Sequence, residues 1–333
     1  MTRGTGQHHD LAAEDRTLLP EGSRPTPGPI AVLPRPNPVF VDAVLAGGGA
    51  VEPLNTETRG IVWLSEKQAD ELRVILDANP QVGWVQLPWA GVDAFADILS
   101  DYSSGRPLWT SAKGAYSEPV AEQAVALALA LLRNFPEKSR GSSWEVDKRG
   151  SSIYGRHVVL VGAGGIAKEI IRLLSVFDVE VTVVRRSDAP LAGAARTVTA
   201  DRLGEVLPAA DVVILAAAST GETAQLIGER ELRMMKESAV LVNIARGALI
   251  DTDALVDALR SGSVAGAGLD VTDPEPLPDG HPLWAEPRCL ITSHSADTPA
   301  MTAPLLANRI RLNVTAFLGD GRFVGVVDPV AGY

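Results

Sequence analysis

The sequence holds a single cysteine, Cys289, among 333 residues. One thiol rules out an intrachain disulfide and leaves no basis for a cysteine metal site, so a reducing, cytoplasmic setting is expected. No uninterrupted apolar run reaches the roughly 18 residues that a membrane span needs. The longest apolar helix expected, around Ala121–Leu132, is too short to cross a bilayer, and the N-terminus lacks a secretory h-region. Basic residues are outnumbered, 30 Lys and Arg against 41 Asp and Glu, for a net charge of −11. That balance argues against a general nucleic-acid or anionic-membrane partner. No solenoid-type repeat occurs. His8 and His9 have no further ligands near them in sequence and read as solvated tail residues, so no metal site is expected.

What is present is an ordinary globular composition, 46% apolar and 21% charged, long enough for two domains. The chain is organised around His157 to Ser187, which reads as strand, glycine turn, helix, strand. The first strand is continuously apolar, as expected for one covered on both faces. Gly162, Gly164 and Ala167 match G-x-G-x-x-G/A. Gly162 permits the sharp turn, Gly164 leaves room for a pyrophosphate against the backbone, and Ala167 lets helix and strand pack closely. The helix N-terminus offers free N–H groups and a positive dipole end to the phosphates. An NAD site usually has Asp or Glu at the end of the second strand. Here Arg185, Arg186 and Ser187 stand there instead, which suits a 2′-phosphate, so NADP(H) is favoured and NAD(H) remains possible. The competing reading makes these solvated loop arginines, with Asp188 turned in.

Before this stretch, residues 1–29 are rich in Gly, Pro, Thr and charge and are expected to form a mobile extension. From Ile30, strands (Ile30–Leu33, Val51–Pro53, Gly60–Leu64, Val82–Leu87, Trp109–Ser111) alternate with helices, one of them capped by Ser65, implying a parallel α/β unit. That unit lacks a glycine fingerprint and is the better candidate for holding substrate. Its loop Pro88 to Asp93 can present backbone N–H groups to an anion or be an ordinary turn. A long helix, Glu118 to Leu132, can link two domains. After Ser187 the alternation resumes through strands Asp211–Ala217, Ala239–Ile244, Val264–Leu269 and Arg288–Thr292. A final helix from Thr298 to about Leu318 can cross back to the first unit.

Gly162, Arg246, Asp270 and His294 each follow the C-terminal end of an expected strand. In an open parallel sheet those ends share one edge, where ligands bind. His157 begins its strand at the opposite edge and reads as structural. Arg246 can be a domain-closing ion pair or a clamp for a substrate carboxylate. His294 can be a loop histidine or a general acid/base. Glu275 can decorate its proline-stiffened loop, or orient the imidazole and favour its charged form. Singly, each reads as structural; as a trio at the rim of a dinucleotide site, they read as catalytic. The chemistry would be hydride transfer at a carbonyl or carbinol carbon, with His294 moving the proton.

At this point the sequence resembles the D-isomer-specific 2-hydroxyacid dehydrogenases over about Ile30 to Leu318. The segments that carry the resemblance are Ala90 to Asp93, Val120 to Glu122, Val161 to Ala167, Leu241 to Asp251, Gly268 to Leu277, Pro282 to Trp284 and Ser293-His294. It implies an α/β fold of two Rossmann-like, flavodoxin-like parallel-sheet domains with a cleft between them. The substrate domain would be discontinuous, 30–114 plus 297–333, and the dinucleotide domain 115–296. It implies Arg246, Glu275 and His294 as the catalytic trio and a substrate held by Trp89, Ala90, Gly91 and Arg246. The cofactor is expected to meet Gly162, Gly164, Gly165, Ile166, Arg185, Arg186, Ser187, Ala217, Ala245 and Asp270, the last at the carboxamide. A homodimer is implied as well. The implied activity is reduction of a small 2-oxo acid, resembling the glyoxylate/hydroxypyruvate reductases. The alternatives are a dinucleotide-sensing corepressor-like relative and an NAD-linked, phosphoglycerate-type dehydrogenase; the lack of a regulatory domain after Tyr333 disfavours the longer form of the latter. Ser293 departs from the family pattern, since proline commonly precedes the histidine, so the loop is expected to be set differently. Trp89, Tyr116 and Trp284 can line a pocket or belong to the core.

Overall fold

The structure, a computed structural model, describes residues 7–329 apart from 66, 104, 105, 145 and 147. It divides into two compact units, Met1–Glu118 with Thr298–Tyr333, and Pro119–Asp297. The breaks thus fall after 118 and 297, against expected breaks after 114 and 296.

The first unit contains strands β1 (Arg16–Leu18), β2 (Ile30–Leu33), β3 (Gly60–Trp63), β4 (Trp84–Gln86) and β5 (Leu108–Thr110). The strands β2-β3-β4-β5 form a parallel sheet in that order. Gly60 is needed in β3 because a Cβ there would stand 2.9 Å from the Trp84 ring. The largest core residues of this unit are Trp63, Trp84 and Trp109, all almost fully buried. The closing helix, Pro299–Leu318, lays Phe317 against Trp84 at 5.1 Å between ring centroids. Its buried Asn313 side chain donates from Nδ2 to Gln86 Oε1 at 2.7 Å, and its Oδ1 accepts from Val324 N at 2.8 Å. Two expectations differ here. Val51 makes a single bridge to Ile30 rather than a strand, since Pro53 has no N–H for a ladder. The helix expected from Ser65 begins at Ala69, with Gln68 at its cap position and no side-chain cap bond.

The second unit supplies β6 (His157–Val161), β7 (Glu180–Arg185), β8 (Arg196–Thr199), β9 (Val212–Leu215), β10 (Val240–Asn243), β11 (Gly266–Leu269) and β12 (Cys289–Ile291). They form one parallel sheet in the order β12-β11-β10-β9-β6-β7-β8, so the direction of succession reverses between β6 and β9. Most of these strands are aliphatic and buried on both faces, as a helix-covered parallel sheet requires. Asp251 caps the helix Thr252–Ser261 by accepting from Ala254 N, and Gly262 closes it at φ 79°. The edge strand β8 was not legible, because its short, partly polar run Arg196–Thr199 has only one neighbour to satisfy.

The last strand, β13 (Arg322–Val324), returns to the first unit and pairs antiparallel with β1. The reading of residues 1–29 as a mobile extension is therefore corrected for those described. Beyond the β1–β13 pairing, the Asp10 carboxylate is fully buried against Arg309. Composition suggested mobility because the segment is rich in Gly, Pro, Thr and charge; ladder bonds and one buried ion pair hold its described residues instead. Among the described residues no helix is long and apolar enough to cross a membrane.

Candidate active site

The glycine turn follows β6 at the reversal point. Gly162 has φ 119°, and a Cβ there would stand 2.4 Å from the Ala216 carbonyl oxygen at the end of β9. Only glycine fits that turn and that approach. At Gly164 a Cβ would meet no protein atom within 4 Å, so the space in front of the backbone is open. The helix Gly165–Leu174 starts directly behind it with no side chain capping its N-terminus. Ala167, Ile170 and Leu174 are buried beneath it. Free N–H groups facing open space fit a dinucleotide pyrophosphate. Arg185 ends β7 half-buried, and Arg186, Ser187 and Asp188 follow, all exposed. Ala217 follows β9 and Ala245 follows β10 on the same edge.

The Arg246 turn is fixed by Asn243, the last residue of β10. Its side chain accepts from Ala245 N at 3.0 Å and donates to the Arg246 carbonyl at 2.8 Å. Next to it, a Cβ on Gly247 would lie 2.0 Å from the Thr272 carbonyl carbon. The absent side chain lets the Arg246 turn rest on the loop that carries Glu275. Thr252 Oγ1 donates to the Asp273 carbonyl at 2.7 Å and ties that loop to the following helix.

Asp270, 2% exposed, organises the histidine loop. Its Oδ1 accepts from Thr292 Oγ1 at 2.6 Å and Ser295 N at 3.0 Å, and its Oδ2 accepts from Ala296 N at 3.2 Å. Its carbonyl accepts from His294 N at 2.6 Å. Ser293 and His294 take φ values of 49° and 51°. A proline ring cannot reach such a value, so a proline at position 293 could not take this conformation. Two successive left-handed residues cost about 1–3 kcal/mol each and persist only where surrounding bonds over-determine them. The four bonds to Asp270 do so. The His294 ring then contacts Glu275, Nδ1 to Oε1, at 2.6 Å, with both side chains about half exposed. Its Nε2 has no hydrogen-bond partner among the described residues.

Asp297 completes the cluster. Burial, with added repulsion from Asp270, pushes its carboxyl up to about 6, against the opposing pull of His294, its own amide and Arg246. His157, at the other sheet edge, pairs Nε2 with Thr182 Oγ1 at 2.8 Å while its amide donates to Asp211, a structural arrangement. Trp89, Ala90 and Gly91 belong to the first unit, where they follow β4. The Trp89 carbonyl accepts from Ala112 N at 3.0 Å, Tyr116 Oη donates to the Pro88 carbonyl at 2.8 Å, and the Trp89 and Tyr116 rings meet edge-on. Trp284 is 43% exposed and donates to the Pro278 carbonyl.

Residues 125–296 match the NAD-binding domain of the D-isomer specific 2-hydroxyacid dehydrogenases. The chain belongs to that family. Its relatives include an uncharacterised protein from the proB 3′ region of Corynebacterium melassecola, 35% identical over 87% of this chain and 95% of that one. A glyoxylate reductase of Thermofilum pendens is 34% identical over 73% of this chain and 74% of the other. Among solved structures, a D-isomer specific 2-hydroxyacid dehydrogenase from Xanthobacter autotrophicus, in complex with NADPH and MES, superposes with a TM-score of 0.78 at 25% identity, covering 92% of this chain and 99% of that one. As a 2-hydroxyacid dehydrogenase by family, the protein is an oxidoreductase with a nicotinamide-dinucleotide domain.

Three residues of this dehydrogenase escaped the sequence reading. Asn243 is a buried polar residue at a strand end, and that placement was the available signal. Gly247 follows Arg246 directly, and no local pattern announces its close approach to the Thr272 backbone. Asp297 lies three residues past His294, and only the wrapping of residues 292–296 around Asp270 shows that it joins the cluster.

Proposed function

We propose that this protein reduces a small 2-oxo acid of the glyoxylate or hydroxypyruvate type to the 2-hydroxy acid (D where the product is chiral), with NADP(H) preferred over NAD(H). The observation that carries this reading is the 2.6 Å contact of His294 with Glu275 on the sheet edge that also bears the glycine turn. The glyoxylate reductase of Thermofilum and the NADPH bound by the Xanthobacter relative support it. The amides of Gly164, Gly165 and Ile166 would hold the pyrophosphate, and Arg185, Arg186 and Ser187 the 2′-phosphate, with Ala217 and Ala245 lining the sheet edge beneath. Reduced nicotinamide, when bound, supplies the hydride. In the second unit, Arg246 is assigned the substrate carboxylate, which its guanidinium fork suits. In the first unit, Trp89 and the backbone N–H groups at Ala90 and Gly91 are assigned to substrate binding. As the carbonyl oxygen gains negative charge, the His294 imidazolium donates its Nε2 proton to it. Glu275 on Nδ1 fixes the orientation of the ring. Asp270 holds the loop that aims the imidazole, and we also assign it the contact to the carboxamide.

The lone, buried cysteine supports a reducing, cytoplasmic setting. We also assign a homodimer, as the family resemblance implies. Reduced-nicotinamide absorbance tests the main reading. Glyoxylate and hydroxypyruvate are expected to oxidise NADPH faster than NADH. Silence across a panel of 2-oxo acids, with tight cofactor binding retained, would replace the reductase with a dinucleotide-sensing binding protein.

A further inference from the structure

The described N-terminal residues do more than cover the first unit. The Asp10 carboxylate and the Arg309 guanidinium have no exposed side-chain surface. Arg309 Nε donates to Asp10 Oδ2 at 3.0 Å, and one Nη donates to Oδ1 at 2.9 Å. The other Nη donates to two carbonyls, Ser111 at 2.8 Å and Lys113 at 3.0 Å. The guanidinium therefore spends four of its five N–H donors on two targets, the N-terminal carboxylate and the chain leaving β5. Two glycines make room. A Cβ on Gly325 would stand 2.5 Å from the guanidinium, and one on Gly114 would stand 2.6 Å from the Ala12 methyl.

The segment held in this way is the one that buttresses the loop after β4. Ala112 N, one residue past Ser111, donates to the Trp89 carbonyl. Tyr116, three residues past Lys113, donates from its hydroxyl to the Pro88 carbonyl and packs edge-on against Trp89. A continuous path of bonds thus runs from Asp10 through Arg309 and residues 111–116 to Pro88 and Trp89. A fully buried ion pair is a costly way to attach a surface segment, because a hydrophobic pair of similar volume often does as well. Its geometry here is that of a fixed strut.

We propose that residues 7–18 form a strap whose Asp10 is a positioning residue for the Trp89–Gly91 loop, and so sets affinity for the 2-oxo acid. This rests on the reading of that loop as the holder of the substrate carboxylate. Losing half the strut loosens the loop and weakens carboxylate binding equally in ground and transition states, which raises KM and spares kcat.

The test uses the full chain with Asp10→Asn and Asp10→Glu, assayed well below each variant's Tm. Asp10→Asn is expected to raise KM for glyoxylate about tenfold, with kcat within about twofold and KM for NADPH unchanged. Asp10→Glu, which keeps the charge, should fall between it and wild type. Hydrogen exchange over residues 108–116 should quicken in Asp10→Asn. A lowered Tm with KM and exchange both unchanged would make the strap merely structural. A parallel rise in the KM for NADPH would show general loosening, and failure of both variants to fold would assign the pair to folding; each overturns the proposal. Wild-type protein inactive on every 2-oxo acid would instead sink the reductase reading, and the exchange comparison would still decide whether Asp10 fixes this segment.

Discussion

Replacing Asp297 with asparagine should make the protein more stable at alkaline pH and leave it nearly unchanged in acid. The Asp297 carboxyl sits where burial and the Asp270 carboxylate disfavour its charge, moving it from 3.8 to about 6. The folded state therefore holds a proton between about pH 4 and 6 that the unfolded chain has released. Stability linked to this group is fully present below the unfolded value and is lost as pH rises through the folded one. At 1.36 kcal/mol per unit the ceiling is about 3 kcal/mol, and roughly half survives for a carboxyl that water partly reaches. Asparagine has the same shape and never ionises. In urea unfolding of wild type and Asp297→Asn from pH 4 to 8, the stability difference should start near zero. It should grow mainly between pH 4 and 6 and level off at about 1.5–3 kcal/mol in favour of the variant. Asp211, held low by the His157 amide and by Lys236 and Arg156 against its own burial, has the opposite pH dependence, but it is common to both proteins and cancels. A difference independent of pH, or a variant less stable than wild type at pH 8, would refute the reasoning.

His294→Ala should lower kcat about 10²–10⁴-fold while leaving NADPH affinity nearly unchanged; equal losses in both would mark a structural histidine. Arg185→Asp should reduce the NADPH-to-NADH ratio of kcat/KM by about tenfold or more, the worth of a charge-assisted bond to phosphate; an unchanged ratio would remove the 2′-phosphate contact. Gly247→Ala places a methyl 2.0 Å from the Thr272 backbone and should cost at least about 2 kcal/mol in unfolding experiments. Cys289, whose thiol burial and nearby Glu286 push up to about 12 against a weaker pull from Arg140, should ignore a thiol reagent at pH 8 until the protein is denatured.

The parallel α/β alternation was legible because buried strands write themselves as continuous apolar runs, and β6, β9 and β10 do so without interruption. The edge strand β8 and the β1–β13 pair were not, since an edge needs no such run. The glycine turn was readable because its constraints are local. Strand-end logic placed His294 at the rim, and Glu275 on its proline-stiffened loop was read as a candidate to orient the imidazole, yet the means of bringing them together were hidden. Asp270 holds residues 292–296 across 22 to 26 positions of sequence, and no local pattern announces bonds of that span. The expected mobile extension missed the buried Asp10 for a similar reason: a lone acid in a polar segment looks solvated until its partner, far along the chain, is known.

That partner is 299 residues away. At about 5–20 residues per second a ribosome needs roughly 15–60 s to make the stretch between them. Throughout that interval the nascent Asp10 is hydrated and unpaired, whereas every strand of the nucleotide-holding half is translated before Arg309. Synthesis therefore imposes an order: one half has all its strands translated first, and the other waits for its keystone, Arg309.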